Sequence, residues 1–388
     1  MLGKRRATGR STRRGLLAGV VVPALALAAL VTQSAVVTPA ARADGAPTVE
    51  RRVHRPQAVS AEATAAPTGL SPAQVKQAYG FPTGASAGAG QKVAVVAPFD
   101  APTIEADLAV FSQRYGLPAC TTANGCFKKV AQNGGKSYPA PDKQWAMEIS
   151  MDVEWVHAIA PGARILLVEA RSDRLADVVA AQDYATGHAG YVTNSLGITE
   201  FAGEGAYDSH FSRSGVSIFV ASGDDGAGAG PGYPASAPGV IAVGATTLSN
   251  IGRPTFAEAG WHNSGGGCSL YETASAPQRS YPGYGAVGCA GQRAVPDVAL
   301  VGDPHSGVAV YDSYKTASNW FTAGGTSAST PMWAARAADS GLVITPKMLY
   351  SAASPITFRD ITVGNNGEPA LPGYDLVTGL GSWTGARP

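Results

Sequence analysis

One serine in this sequence has the setting of a nucleophile. Ser327 lies in the glycine-rich stretch 324–331, which leads into an Ala-rich segment starting at Met332. A serine between a glycine turn and a helix N-terminus exposes its hydroxyl beside unpaired backbone N–H groups, which favour developing negative charge. Ser and Thr before a helix are also common caps. The stretch therefore predicts a reactive serine only if the chain supplies a group that activates it.

Two carboxylates with helical spacing could provide that activation. The pattern of residues 144–162 is helical until Ala160, Pro161 and Gly162 end it, and Glu148 and Asp152 lie four residues apart within it. This spacing places both carboxylates on one helix face, where they repel each other but could share or relay a proton. The alternative is a pair of acids on a solvated helix face. Glu154 points elsewhere, and we expect it to be solvated or locally hydrogen-bonded.

An aspartate at the end of a strand is the fourth candidate. Residues 219–226 read as a strand that runs into a glycine turn, from which Asp224 would protrude at the edge of a sheet. Aspartates in glycine turns commonly form Asx turns. We assign that turn role to Asp225, which should point in another direction.

The elements that must position these residues read as a parallel α/β sheet. Strand-like apolar runs alternate with helix-like segments, and each run is short. Groups with chemical roles collect beyond the carboxyl ends of such strands, which also makes Asp100, Asn194 and Ser195 candidates. The predicted strands are 92–97, 164–168, 191–195, 217–221, 240–243 and 308–311.

The N-terminal part of the chain has the pattern of an export signal. Basic residues precede the apolar run 15–31, and Ala41-Arg42-Ala43 has the small residues that a signal peptidase reads. We predict an export signal over residues 1–43, through the general secretory or the twin-arginine route, with a membrane anchor as the alternative. Residues 44–68 read as a short leader outside the core, followed by one catalytic domain over residues 69–388.

Charge narrows the range of partners. The whole chain has a formal net charge of +1, but residues 1–43 hold seven Lys or Arg and no acid, so the remainder carries −6. A mildly acidic body disfavours nucleic acid, which requires a clustered basic face. No later apolar run is long enough to span a membrane, so we expect no stable insertion after signal cleavage.

The four cysteines permit three disulfide connectivities. Export makes disulfides permissible, and short loops favour Cys120 with Cys126 and Cys268 with Cys289. A catalytic or metal-binding cysteine is not indicated, because no Cys-x-x-Cys occurs and no cysteine has a neighbouring histidine.

Together these stretches resemble the sedolisins, the serine-carboxyl peptidases with a subtilisin-like fold. The resemblance runs in order from about residue 71 to residue 382. It is carried by the segments 148–163, 222–226, 264–269, 296–304, 324–331, 358–367 and 372–382.

The resemblance implies an acid-active endopeptidase acting on proteins or peptides. Ser327 would be the nucleophile, Glu148 the general base and acid, Asp152 its orienting partner, and Asp224 a protonated donor in the oxyanion hole. A carboxylate base stays active in acid, where histidine would be protonated. His157, the nearest rival base, lies about 140° around the helix from Asp152 and is expected to pack or cap.

The C-terminal segment is a candidate calcium site. Asp360 and Asp375 offer hard carboxylate oxygens, which calcium prefers. The resemblance implies that one structural Ca²⁺ is held by these two side chains and by the backbone carbonyls of Ile361, Leu371 and Gly373. The loop between the two aspartates is short for the family, and ordinary Asx turns are the alternative.

Two other function classes stay open at this point. A binding protein at the cell surface could use a retired peptidase scaffold, and a serine esterase could use the same nucleophile on another acyl group. Many sedolisins carry a large folded propeptide, whereas residues 44–68 are too few for one. We expect a secreted monomer.

Overall fold

The computed structural model describes residues 50–55, 64–250, 256–316 and 319–386. The export signal predicted over residues 1–43 lies outside these ranges. Among the described residues, none of the helices combines the length and apolar character needed to cross a bilayer.

The helices of the described chain differ widely in length, and two long ones carry candidate residues. In chain order they are α1 (Pro72–Tyr79), α2 (Ile104–Tyr115), α3 (Lys143–Ile159), α4 (Leu175–His188), α5 (Ala276–Ser280), α6 (Thr326–Ser340) and α7 (Pro346–Leu349). Short 3-10 turns add Glu204–Phe211, Ala227–Ala229, Tyr284–Val287 and Pro304–Ser306.

The strands form one large sheet and several two-stranded ones. In chain order they are β1 (Lys92–Pro98), β2 (Phe127–Ala131), β3 (Arg164–Ala170), β4 (Tyr191–Asn194), β5 (Ile198–Thr199), β6 (Ser217–Ala221), β7 (Gly232–Tyr233), β8 (Ile241–Ser249), β9 (Ala257–Gly260), β10 (Gly267–Thr273), β11 (Gln292–Val295), β12 (Val298–Val301), β13 (Val308–Tyr311), β14 (Trp320–Ala323), β15 (Ile356–Arg359) and β16 (Ser382–Ala386). The large sheet has the order β12-β8-β6-β4-β1-β3-β2, with β9 added beside β8.

The large sheet is parallel apart from β9, as the buried apolar runs predict. Val93 of β1 sits between Ile165 and Tyr191 of its neighbours, and β1 is buried along nearly its whole length. Five of the predicted strands belong to this sheet, while its strands β2, β9 and β12 were missed.

The sixth predicted strand, 308–311, has the predicted bounds but does not belong to the large sheet. As β13 it pairs antiparallel with β14 and stands outside the large sheet. An apolar run of four residues fits a parallel or an antiparallel ladder equally well, so pattern alone could not decide its partner.

Helices α3 and α6 bring the candidate chemistry together. Asp142 caps α3 by accepting from the backbone N–H groups of Gln144 and Trp145 at 2.9 and 3.0 Å. The helix ends at Ile159, where the sequence predicts its stop. Helix α6 packs against α3 and lies over β4, β6 and β8. The sheet, α3 and α6 therefore pack together and position the candidate residues that they carry.

The leader does not stay outside the core, contrary to the sequence-based expectation. Val53 is only 1% exposed, and Thr64 pairs with Trp320 through backbone hydrogen bonds of 2.8 and 3.2 Å. Low hydrophobicity and many prolines hid these contacts, because backbone pairing needs no particular side-chain pattern.

The predicted disulfide pairing is confirmed. Cys120 is bonded to Cys126 and Cys268 to Cys289, and neither bridge leaves a free thiol. Both bridges close short loops, as loop length favoured.

Candidate active site

Ser327 stands in the first turn of α6. The helix begins at Thr326 after Gly325, whose φ of +94° suits glycine. A Cβ at position 325 would lie 2.3 Å from Oδ2 of Asp224, so glycine is also needed for the close approach of that carboxyl group. Ser327 is fully buried, and its Oγ has no hydrogen-bond partner among the described residues. The helix therefore fixes the position of the hydroxyl, and no structural hydrogen bond occupies its oxygen.

Glu148 faces that hydroxyl from α3. Its side chain is fully buried, and neither carboxylate oxygen has a hydrogen-bond partner within the described ranges. Burial raises the pKa of Glu148, while the Ser327 hydroxyl and the Arg55 charge lower it and Asp224 raises it further. The two side chains interact but form no well-aligned hydrogen bond, as is common for catalytic pairs without substrate.

Asp152 lies on the same face of α3 and is also fully buried. Its Oδ1 accepts a hydrogen bond of 2.8 Å from Ser195 Oγ, while Oδ2 has no partner in the described chain. Burial raises the pKa of Asp152 well above its usual range, and the Glu148 charge raises it further. Two like charges this close disfavour double ionisation, so the pair prefers to keep one proton. The solvated-face alternative for the pair is wrong.

Asp224 follows β6 and reaches the start of α6. Its Oδ1 accepts from Thr326 N at 2.7 Å and from Thr326 Oγ1 at 2.9 Å, and Oδ2 has no partner among the residues described. Burial raises the pKa of Asp224 to about 7, although the two bonds from Thr326 lower it. The side chain therefore holds a proton up to near-neutral pH, and its bonds fix it beside the nucleophile.

Three neighbouring predictions have different outcomes. Glu154 is fully buried, with Oε2 accepting from Tyr311 N at 3.0 Å, so the expectation of a solvated side chain is wrong. Helix α3 is buried around most of its circumference, which a single-face pattern does not indicate. His157 packs as expected, with Nε2 bonded to the Pro118 carbonyl at 2.8 Å and its pKa lowered by burial.

The other strand-end candidates divide between the site and the fold. Ser195 follows β4 and supplies the hydrogen bond to Asp152. Asp100 follows β1 and pairs with Lys129 at 2.5 Å. Sheet-edge reasoning identified both positions but could not tell which one joins the carboxylates.

A cleft of about 720 Å³ opens beside Asp224. Its lining includes Gly197 and Ser222, and it also includes His54 and Arg55 from the leader. Ser327, Glu148 and Asp152 are fully buried. The leader residues and Thr326 are the site neighbours that sequence reasoning missed. Thr326 stood inside the serine motif, but no spacing rule linked it to Asp224.

The expected calcium ligands cluster only in part. Asp360 Oδ2 accepts from Gly373 N at 2.9 Å, and Asp375 Oδ2 accepts from Leu371 N at 3.0 Å. Both carboxylates thus reach the same short segment, and their oxygens suit calcium. The backbone N–H groups of Leu371 and Gly373, however, face the carboxylates where the carbonyls were expected. Asp360 Oδ2 accepts one hydrogen bond and keeps a lone pair for an ion. Asp375 is more fully bonded, because its Oδ2 also accepts from Thr378 Oγ1 at 3.3 Å and its Oδ1 accepts from Val377 N and Thr378 N at 2.9 and 2.7 Å.

Among the described residues, another group lies close enough together to surround a metal ion: Cys120, Cys126 and His157. The two sulfur atoms are bonded to each other, so they are not thiolate ligands. This trio is therefore structural.

Comparison with known proteins places these features in a wider group. A sequence profile of the Subtilase family matches residues 139–349, more than half of the chain. Kumamolisin from Bacillus sp. (strain MN-32) is 30% identical over 370 residues, which cover 84% of this chain and 64% of that protein. Xanthomonalisin from Xanthomonas sp. (strain T-22) is 27% identical over 353 residues, which cover 71% of this chain and 41% of that protein. The chain thus spans less than two thirds of either relative.

A solved structure resembles this chain over nearly the full length of that structure. Pseudomonas sedolisin, a serine-carboxyl proteinase complexed with two molecules of pseudo-iodotyrostatin, superposes with a TM-score of 0.70 and 25% identity. The superposition covers 82% of this chain and 96% of that structure.

Proposed function

Because the chain belongs to the Subtilase family, and within it to the sedolisins with their subtilisin-like fold, we propose that it is a serine-carboxyl endopeptidase. The observation that carries the proposal is the pairing of Ser327 with Glu148. Both are buried, they face each other, and neither side chain has a hydrogen-bond partner among the described residues. A buried carboxylate without partners is costly for a purely structural group.

Acylation begins with proton transfer from Ser327 Oγ to Glu148. As the proton leaves, Oγ bonds to the carbonyl carbon of the substrate, and the carbonyl oxygen becomes an oxyanion. Glu148 then gives the proton to the amide nitrogen, the C–N bond breaks, and the amine leaves. In the second half a water molecule loses a proton to Glu148 and attacks the ester. The proton returns to Ser327 when the acid product departs.

Asp152 is assigned the role of keeping Glu148 reactive. In the proposed ground state Glu148 is ionised and Asp152 holds the proton, so the buried pair carries a single negative charge. The hydrogen bond from Ser195 fixes Oδ1 of Asp152 and leaves Oδ2 to face Glu148. Asp152 can then share its proton when Glu148 changes charge.

Asp224 is assigned the role of oxyanion donor. A protonated carboxyl group donates a hydrogen bond, whereas an ionised one would repel the oxyanion. Its pKa is raised to about 7, so Asp224 is neutral below that pH and charges above it. Activity is therefore proposed to fall as pH rises through this value, which gives an acidic working range.

The surrounding assignments are also proposals. We propose export to the outside of the cell through the secretory or twin-arginine route, consistent with two disulfides. Substrates would be proteins or peptides, and the enzyme would act as a monomer. One structural Ca²⁺ would be held by Asp360 and Asp375, with carbonyls of Ile361, Leu371 and Gly373, and would stabilise the C-terminal turn.

The decisive experiment compares the unaltered protein with Ser327→Ala on denatured protein substrate between pH 3 and pH 8. We expect acid-range cleavage by the unaltered protein and a loss of about 10⁴-fold or more in the variant, because the nucleophile is gone. The variant should keep the melting temperature of the unaltered protein. An unaltered, folded protein that is inert over this range would favour a binding protein. Cleavage of esters without cleavage of peptides would favour an esterase.

A further inference from the structure

A small pocket of about 170 Å³, which we call the basic pocket, lies at the end of the large sheet opposite to the candidate active site. It is lined by Lys92, Gly125, Lys128, Arg164, Ile165, Leu166, Tyr184 and His188. Lys92 and Arg164 begin β1 and β3, whereas Ser195 and Asp224 follow the carboxyl ends of β4 and β6. A strand rises about 3.3 Å per residue, so the two ends of β1 lie about 20 Å apart. The basic pocket is therefore separate from the cleft beside Asp224.

Three basic side chains of the pocket share one face of the sheet. Their strands are neighbours in the order β1-β3-β2. Lys92 is opposite Arg164, and Lys128 is opposite Leu166, which lies two residues beyond Arg164 on β3. Residues in register, and residues two apart along a strand, point to the same face of a parallel sheet. The register therefore places the three cations side by side.

None of these three cations has a side-chain partner among the described residues, whether in an ion pair, a hydrogen bond or a ring contact. The described lining of the pocket contains no Asp or Glu. Two acids on adjoining segments are engaged: Glu105 accepts from Thr122 N and Oγ1 at 2.7 and 2.8 Å, and Asp183 is bonded to His210 at 2.8 Å. Unpaired like charges repel each other, and an anion between them would remove that repulsion.

Helix α4 supplies the wall that faces the cations. The rings of Tyr184 and His188 stack at 3.9 Å with 18° between their planes. His188 Nδ1 is bonded to the Tyr184 carbonyl oxygen at 2.7 Å, and because a carbonyl only accepts, Nδ1 is the donor. A Cβ at Gly134 would lie 2.3 Å from the Tyr184 ring, so that ring is also packed closely against the backbone. This wall is fixed by contacts that do not use the cations.

The donors of the basic pocket suit a tetrahedral oxyanion. The guanidinium of Arg164 has the fork geometry that gives two parallel hydrogen bonds to one oxyanion, and the two lysines add compact positive charges. The volume is several times the share of one water molecule in the liquid, about 30 Å³, and so has room for an oxyanion with part of an ester group. The chain after residue 43 carries −6, so the cluster is opposite in sign to the body that holds it.

We propose that the basic pocket binds a phosphate or sulfate group, either as the free anion or as the charged end of an ester. Lys92 and Arg164 are expected to contribute most, because they are directly opposite each other in the ladder. This site goes beyond the proposed peptidase function, and its binding does not require Ser327.

Binding is tested by calorimetric titration of full-length protein carrying Ser327→Ala, so that the protein cannot cleave itself. The probes are sodium phosphate, sodium sulfate and phenyl phosphate, with sodium chloride used to hold the ionic strength constant. A pocket variant also carries Lys92→Gln and Arg164→Gln. The matched control instead carries Arg114→Gln and Lys347→Gln, which remove the same charge from exposed positions on α2 and α7.

We expect the control to bind one phosphate or sulfate per chain, and the pocket variant to bind each about tenfold or more weakly. Phenyl phosphate that binds at least as tightly as phosphate would identify an ester as the ligand, whereas weaker binding would identify the free anion. Equal binding by the pocket variant and the control, or no binding by the control beyond the response to chloride, would overturn the proposal.

Melting temperatures separate a binding role from a structural one. Without phosphate the pocket variant should melt no lower than the control, because two mutually repelling charges are gone. Phosphate should raise the melting temperature of the control and leave that of the variant nearly unchanged, since only the control binds it. A variant that melts lower without phosphate, yet shows the same rise with it, would give these cations a structural role and overturn the proposal. None of these outcomes bears on the peptidase function, because the nucleophile is absent from every protein compared.

Discussion

Two buried carboxylates show how differently one fold treats the same group. Asp297 and Glu148 are both fully buried. Asp297 accepts from both Nη atoms of Arg293 at 2.8 and 2.5 Å, from Ala242 N at 2.6 Å, and from the Tyr350 hydroxyl. Glu148 accepts from no described residue. The charge of Asp297 is balanced by Arg293 and its lone pairs accept hydrogen bonds. The lone pairs of Glu148 stay free to accept a proton.

Substituting each carboxylate by its amide tests this contrast most strongly. Glu148→Gln should lower peptidase activity by about 10²–10⁴-fold, because the general base is removed, and leave stability unchanged or raised. Asp297→Asn should lower the free energy of unfolding by about 3–5 kcal/mol, because Arg293 stays buried without its counter-charge. Denaturant unfolding and peptide cleavage measured on both variants give the comparison. Equal destabilisation by both substitutions would contradict it.

Asp224 sharpens the comparison because its role depends on a proton. Asp224→Ala should lower activity by about 10²–10³-fold, as expected when an oxyanion donor is lost. Asp224→Asn should lose less, because an amide N–H donates at every pH, and the decline expected near pH 7 should disappear. The measurement is kcat/KM against pH. Asp183→Asn, an exposed site paired with His210, should keep the unaltered profile.

Buried acids with a raised pKa should also make the fold most stable in acid. Burial raises the pKa of Glu169 to about 8 and of Asp224 to about 7, above the value near 4 of unfolded carboxyls. Between these limits the folded state binds more protons, so the free energy of unfolding falls as pH rises.

Melting temperatures at pH 4.5 and pH 7.5 check this expectation, and the value at pH 4.5 should be higher. Glu169→Gln should weaken the pH dependence, because it removes one of the groups responsible. A higher melting temperature at pH 7.5 would show that compensated pairs such as Arg293–Asp297 dominate.

The aspartates of the C-terminal turn are hydrogen-bonded like Asp297 but, like Glu148, have no basic partner. Asp360 and Asp375 accept backbone hydrogen bonds, but no Lys or Arg lies within ion-pair distance of either in the described chain. Saturating Ca²⁺ should stabilise the fold by about 2–3 kcal/mol at a hundredfold excess over its dissociation constant. Asp360→Asn should reduce that gain. Identical melting curves in Ca²⁺ and in chelator would remove calcium from the proposed function.

The sequence predicted the elements whose pattern is local. The helical pattern around Glu148 and Asp152, with its stop near Ala160, was correct, and five strands of the large sheet were found. The fold class expected from the ordered motifs is confirmed.

What failed depended on contacts between distant residues. The strand partner of β13, the burial of Glu154 under Tyr311, and the pairing of His54 with Gly197 are all fixed by tertiary structure. Local spacing gives a side chain its direction on a helix or strand, but not what covers it. The link between Asp224 and Thr326 was missed for the same reason.

The glycine before the nucleophile links two groups of the candidate site. Because a Cβ at position 325 would lie 2.3 Å from Oδ2 of Asp224, any other residue there would displace that carboxyl group or the turn that leads to Ser327. The φ of +94° would add backbone strain for a residue with a side chain. A single Gly325→Ala substitution would therefore disturb the proposed oxyanion donor and the proposed nucleophile together, although it replaces neither.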